Sequence, residues 1–292
     1  MNPAETNLSN ATVTIVGLGL MGGSLGLALR QNRACAQVVG LVRRPAAITE
    51  ALALGLVDRA TLDPTEALGA ADIVIFSTPI RTILRQLGEY VPYYKPGAVI
   101  TDMGSTKLQI TQAMAALPAG FQPVGSHPMC GKEIAGMAAA EATLYRNAPW
   151  VLTPLERTTP AAVELVRQLA LAVGAKPLQL EAARHDQAVA AISHLPYTLA
   201  ASLVLAAQTA AAADPAVWQV KAGGFRDTSR VAATDVTMML DILLTNRQPV
   251  GQLIALARLQ LDAFAAAIAA GDEAALRQLM EQAAHQRREL YK

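Results

Sequence analysis

Two groups of residues in this chain could do chemistry by their type and spacing. The first is Gly17, Gly19 and Gly22, in the pattern G-x-G-x-x-G between a β-branched run and an apolar, helix-compatible run. Gly17 permits a tight turn off a strand, Gly19 lets the backbone approach a pyrophosphate, and Gly22 removes a side chain where helix and strand must pack. Phosphates there would meet unpaired N–H groups at the positive end of a helix dipole. The pattern alone is weak, since glycine-rich turns are common, but its place between strand and helix points to a dinucleotide. The second group is Ser105 in DMGSTK (102–107), His127 in SHPMCG (126–131), His194 in SHLPY (193–197) and Arg230 in GGFRDTSR (223–230). A neutral imidazole is a base near neutral pH, and a guanidinium grips a carboxylate with two hydrogen bonds. Singly, each has a plainer reading. His127 before Pro128 could be a turn residue, His194 a helix cap, and Arg230 a partner of Asp227. No cluster of cysteines and histidines has zinc-ligand spacing, so no metal is expected.

Short apolar strands alternating with helical stretches must position these side chains. Residues 12–17, 38–42, 72–78 and 98–101 read as buried strands, and 46–54 reads as a helix between two of them. The alternation continues through 122–125, 150–153 and 176–180 and predicts a parallel, doubly wound sheet of Rossmann type. Ligands of such sheets bind beyond the carboxyl ends of the strands, where Ser105 and His127 fall. Past residue 181 no further strand is expected. Ala/Leu-rich helical segments follow, broken at Asp214-Pro215, Gly223-Gly224, Pro249 and Gly271-Asp272. The expected architecture is an α/β dinucleotide-binding domain over 1–181 and an all-α domain over 182–292. The apolar surplus of the second domain suggests dimerisation. His194 and Arg230 come from it and would close over the crevice.

Composition narrows the function further. The 292 residues carry a net charge of +1 with no block of like charge, so a nucleic-acid footprint is not expected. The first eleven residues have neither a basic region nor an apolar core, which argues against a secretory signal. Residues 197–213 are apolar but slightly short and carry Gln208, Ser202 and two threonines, so a buried interface helix is expected there and not a membrane span. Cys35 and Cys130 do not suggest a disulfide framework, and a cytoplasmic, reducing location is expected.

The end of the second strand bears on the choice of nicotinamide cofactor. NAD-binding folds place an acid about 20 residues past the glycines, where it accepts the ribose hydroxyls. Here that stretch is Leu41-Val42-Arg43-Arg44, with no acid. Two guanidiniums suit a 2′-phosphate that a carboxylate would repel, so NADP is expected. The plainer alternative is a solvated surface turn.

Together and in this order, these segments resemble the prephenate/arogenate dehydrogenase family of tyrosine biosynthesis. The carriers are VGLGLMGGSL (16–25), STP (77–79), DMGSTK, GSHPMCG, NAPWVLTP (147–154), HDQAVAAISHLP (185–196) and GGFRDTSR. The Arg43-Arg44 ending and NAPWVLTP look most like the NADP-using, arogenate-preferring branch. The resemblance implies oxidative decarboxylation of a cyclohexadienol, arogenate or prephenate, by a homodimer. It implies His127 as the base that accepts the ring hydroxyl proton and Ser105 as the residue that orients it. Substrate would be bound by His194, Arg230, Asp227 and Glu133, although some family members lack an acid at the Glu133 position. Cofactor contacts would come from Gly17, Gly19, Leu20, Met21, Gly22, Arg43, Arg44, Ser77, Thr78, Pro79, Asp102 and Ser105. A β-hydroxyacid dehydrogenase is disfavoured because no lysine lies within a helix of the second domain. A non-catalytic NADP sensor would not require His127, His194 and Arg230 together.

Overall fold

β-Branched and leucine-rich runs close into one eight-stranded sheet in a computed structural model that describes residues 7–132 and 134–291. In chain order the first elements are β1 (Thr12–Val16), α1 (Leu20–Gln31), β2 (Gln37–Leu41), α2 (Pro45–Ala53), β3 (Arg59–Thr61), α3 (Pro64–Leu68), β4 (Ile73–Phe76) and α4 (Ile80–Glu89). Next come β5 (Val99–Asp102), α5 (Leu108–Ala115), β6 (Gln122–Pro128), β7 (Pro149–Pro154), α6 (Pro160–Ala172) and β8 (Lys176–Gln179). The strand order is β3-β2-β1-β4-β5-β6-β7-β8.

Side chains alternate across a strand, and that period assigns the two faces. Val13 and Ile15 of β1, with Ile73 and Ile75 of β4, enter the core under α1 and α6. Val16, Val74 and Phe76 enter the core under α4 and α5. Both faces are covered, which is why these strands read as continuous apolar runs. Helix starts are marked locally. Pro45, Pro64 and Pro160 open α2, α3 and α6, where a missing N–H costs nothing, and Asp63 and Thr159 cap the latter two.

The sheet departs from the expected one in two places. The three-residue β3 and the five-residue α3 had no clear sequence signal, being too short for a period to show. β7 runs antiparallel to β6, pairing Val124 with Pro154 through Pro128 with Trp150. The described residues of 129–148 between them hold no crossover α-helix, the element that brings a chain back parallel. This pairing also extends β6 to Pro128, so His127 sits within a strand and not just beyond one.

After β8 the chain is helical. The elements are α7 (Ala182–Val189), a π-turn (Ala190–His194), α8 (Leu195–Ala213), α9 (Ala216–Gln219), α10 (Gly223–Ser229), α11 (Val236–Thr245), α12 (Arg247–Ala270) and α13 (Glu273–Leu290). The segment containing α7 and α8 and the helix α12 are each long and apolar enough to cross a membrane by length and composition. Within the single chain α12 leaves Leu256, Leu259, Leu261 and Ile268 more than half exposed.

Two aspartates dock these helices onto the sheet domain. Asp241 of α11, only 3% exposed, accepts from the Arg81 main-chain N–H at 3.1 Å and pairs with the Arg81 guanidinium, capping α4. Asp186 of α7 accepts from the N–H groups of Lys107 at 2.7 Å and Leu108 at 2.9 Å, capping α5. Met239 and Ile242, three residues apart on one face of α11, enter the core under α4. Replacing Asp241 by Ala removes the α4 cap while Arg81 can rehydrate, so stability falls by about 1–2 kcal/mol. Urea denaturation measures this, and Asp241→Asn, which keeps an acceptor, loses less.

Candidate active site

The glycine turn is a cradle that side chains would fill. Gly17 has φ +93°, and a Cβ there would lie 2.7 Å from Thr78 Cγ2 and 3.1 Å from the Ser77 carbonyl oxygen. A Cβ on Gly22 would lie 2.1 Å from the Gly17 carbonyl oxygen. Gly19 is the N-cap of α1, with open space around its Cα and no side chain capping the helix. The first N–H groups of α1 therefore face outward beside the Ser77-Thr78-Pro79 loop, an arrangement that fits a pyrophosphate. Leu20 and Met21 form the first turn of α1, and the Met21 carbonyl accepts from the Tyr145 hydroxyl at 2.6 Å. Thr78 donates to Gln86 Oε1 at 2.8 Å, fixing the loop. Arg43 and Arg44 are exposed where β2 meets α2 and make no ion pair among the described residues.

Asp102 needs correction as a cofactor contact. Its carboxylate is fully buried and taken up by protein donors: the Lys107 ammonium, the Ser126 N–H at 3.0 Å and the Gly104 N–H at 2.7 Å. Lys107, also fully buried, donates to the Ser126 carbonyl at 2.7 Å as well. The pair therefore ties the Asp102–Lys107 loop to β6 just before His127, so Asp102 shapes the crevice from behind. Burial holds the Lys107 ammonium below its usual range, with Asp102 and then Asp186 opposing.

His127 occupies the mouth of β6, half-buried. Its Nδ1 lies 2.9 Å from His185 Nε2, and His185 Nδ1 lies 2.8 Å from Asp186 Oδ1. This corrects the role expected of Ser105. Ser105 is half-buried in the neighbouring loop but makes no hydrogen bond to His127, whose Nδ1 is engaged by His185. Burial pushes His127 well below the ordinary histidine range, and the nearby His185, Lys107 and His194 add to this.

His194 is 1% exposed at the end of the π-turn. Nine residues at 3.6 per turn would set it half a turn from His185. The wide turn absorbs about one residue, or roughly 100°. Asn246 Nδ2, beyond α11, then reaches both His194 Nδ1 at 3.1 Å and the Asp186 carbonyl at 2.8 Å. Burial pushes His194 down to about 4, His185 adding to this and Asp186 opposing it.

Arg230 is exposed and opens a short 3₁₀ turn that packs against α8. Asp227 pairs with the adjacent Arg226 at 2.9 Å on the exposed face of α10, and not with Arg230 as the plainer reading had it. Glu133 lies outside the described residues. Four participants went unselected in the sequence: His185, Asp186, Lys107 and Asn246. The first three stand inside quoted motifs, and the adjacent His185-Asp186 pair was itself a signal. Asn246 had none, because its role depends on α11 packing beside the π-turn.

Two family models cover this chain. One, described as the prephenate dehydrogenase nucleotide-binding domain, matches residues 25–179. The other, described as the prephenate dehydrogenase dimerization domain, matches 181–282. The prephenate dehydrogenase of Bacillus subtilis is 35% identical over 84% of this chain, and the match spans 66% of that protein's length, just under two thirds. The crystal structure of Synechocystis arogenate dehydrogenase superposes with a TM-score of 0.83 at 33% identity, over 96% of this chain and 99% of that one. Prephenate dehydrogenase from Aquifex aeolicus, in complex with hydroxyphenyl propionate and NAD+, superposes with a TM-score of 0.89 at 29% identity, over 98% and 100%.

The low folded-state value of His194 sets a pH dependence. The unfolded chain binds a proton there at about pH 6.5, whereas the folded chain refuses it until about 4. Stability is therefore full above pH 6.5 and falls with acidification through that window, and the same direction holds for His127. Denaturation midpoints measured from pH 7.5 to 4 record this slope, and it becomes shallower in His194→Gln.

Proposed function

Because the chain belongs to the prephenate dehydrogenase family, we propose that it carries out the oxidative decarboxylation of arogenate or prephenate in tyrosine biosynthesis. The observation carrying this reading is the contact of His127, on β6 of the sheet domain, with His185 of the helical domain, in a chain whose α1 also opens on an uncapped glycine cradle. The open start of α1 and the close approach of Gly17, Gly22, Ser77 and Thr78 suit a nicotinamide dinucleotide. We favour NADP, because Arg43 and Arg44 make no ion pair among the described residues where the ribose would lie, and no acidic residue takes their place. The related Aquifex aeolicus structure holds NAD+, so the choice rests on this strand end alone.

When bound, the nicotinamide accepts the hydride leaving the ring carbon that bears the hydroxyl. His127 removes the hydroxyl proton as that carbon becomes a carbonyl. The ring carboxylate then leaves as carbon dioxide, its bonding pair flows through the ring toward the carbonyl oxygen, and the oxygen takes a proton back as the ring becomes aromatic. A base for this step must be neutral near pH 7, and the buried setting of His127 keeps it so. His194 has the complementary role. With Asn246 donating to its Nδ1, neutral His194 carries its proton on Nε2 and offers a donor to the substrate. Arg230 holds a substrate carboxylate. The exposed apolar face of α8 and α12 suits a second copy of this chain, in keeping with the dimerization model on 181–282.

The deciding assay crosses prephenate and arogenate with NAD and NADP and follows reduced cofactor. Turnover is expected with NADP, and folded protein that binds NADP yet is silent in all four mixtures overturns the reading. In the active mixture His127→Asn lowers kcat by about 10²–10⁴-fold with cofactor affinity retained. Arg230→Gln chiefly raises KM, since it deletes a contact common to ground and transition states. An unchanged KM means another group holds the carboxylate.

A further inference from the structure

We infer that His185 and Asp186 are positioning residues that hold His127 with its proton on Nδ1 and its bare Nε2 toward the crevice. The inference depends on the proposed reaction only for its catalytic consequence, since the tautomer is a property of the protein by itself. Asp186 Oδ1 and Oδ2 already accept from the N–H groups of Lys107 and Leu108, so the carboxylate meets His185 Nδ1 as an acceptor. His185 must then carry its proton on Nδ1. A neutral imidazole has one N–H, which leaves His185 Nε2 as a lone pair. That lone pair faces His127 Nδ1 at 2.9 Å, where a second lone pair would repel it. His127 Nδ1 therefore bears the hydrogen, and its Nε2 is free to accept one. The two rings cross at 76°, so the bond also fixes how the His127 ring is turned.

The arrangement is anchored at both ends to the sheet domain although its middle belongs to the helical one. His127 stands on β6, whereas Asp186 sits on the start of α5. Between them, α7 is set by Glu181, which caps it through the N–H groups of Ala183 and Arg184 at 2.9 and 3.0 Å. His185 and Asp186 are each 1% exposed, so no water competes for these bonds. When His127 takes the substrate proton, the developing imidazolium donates along the same line toward the carboxylate.

The chain has only four histidines, which makes the tautomer directly observable. Ring-¹⁵N spectra of the histidine-labelled protein at neutral pH are expected to show His127, assigned by its loss in His127→Asn, protonated on Nδ1 and bare at Nε2. The opposite tautomer, or an average of the two, overturns the inference whatever the protein's activity. In His185→Leu the Nδ1–H signature is expected to be lost and kcat to fall by about 10²–10⁴-fold, on the scale of a wrongly held catalytic histidine. His185→Gln restores an acceptor at the position of Nε2 and is expected to recover kcat to within about 10-fold of wild type. A purely packing role predicts no such difference, and equal kcat in the two variants overturns the inference. If His185→Leu does not fold, the wild-type spectrum and the His185→Gln rate still decide. The expected tautomer in a protein that turns over neither substrate leaves the positioning standing and removes the proposed reaction.

Discussion

A buried carboxylate at a helix N-terminus is the contact on which the rest of this molecule depends. Asp186 comes from the helical domain, yet its oxygens satisfy the first N–H groups of α5 in the sheet domain. Those N–H groups have no partner inside their own helix, and the positive end of the helix dipole favours a negative charge. Asp241 repeats the device at α4, one strand away. Burying an unpaired carboxylate would be prohibitive, so each aspartate is stable only when the two domains are docked. The same two contacts define the crevice, because α4 and α5 begin at the carboxyl ends of β4 and β5, where a doubly wound sheet binds ligands.

Docking and chemistry thereby share residues. The Asp186 carbonyl holds Asn246, which holds His194, and the Asp186 side chain holds His185, which holds His127. A shift of α7 that broke the α5 cap would release both histidines at once. Lys107 joins the set from the other side. Its main chain donates to Asp186 and its ammonium to Asp102, so the loop before α5 is pinned between the two domains.

What the sequence disclosed follows from the range over which each signal acts. Strands buried on both faces announce themselves as apolar runs, so β1, β4 and β5 were legible to within a residue or two, as was the helical character after β8. β3 and α3 were too short to show a period. The reversed β7 was hidden because direction depends on how 129–148 crosses the sheet edge, which no local pattern encodes. At the site, G-x-G-x-x-G was readable because a turn, a close approach and a packing contact are all local demands. The family resemblance implied Asp102 as a cofactor contact, but a lysine five residues on occupies it. His185 was quoted inside a motif without being selected. An Asp-capped helix from another domain is what turns a surface-like His-Asp pair into a buried support.

The electrostatic balance of the crevice turns on four basic groups gathered beside two buried carboxylates. His127, His185, His194 and Lys107 lie together, and a low-dielectric interior cannot hold four cations beside one another. Lys107 keeps its proton through Asp102, a private partner behind the site. The only other buried carboxylate in this group, Asp186, is spent on two helix N–H groups and one imidazole. Nothing remains to stabilise an imidazolium at rest, so His127 and His194 stay neutral, one with a bare nitrogen toward the crevice and one with an N–H. In the proposed reaction, a proton taken up by His127 enters a site that resists it, which favours its return to the product oxygen. The anionic groups of a substrate gain little from these neutral rings, so their counter-charge must come from outside the buried cluster.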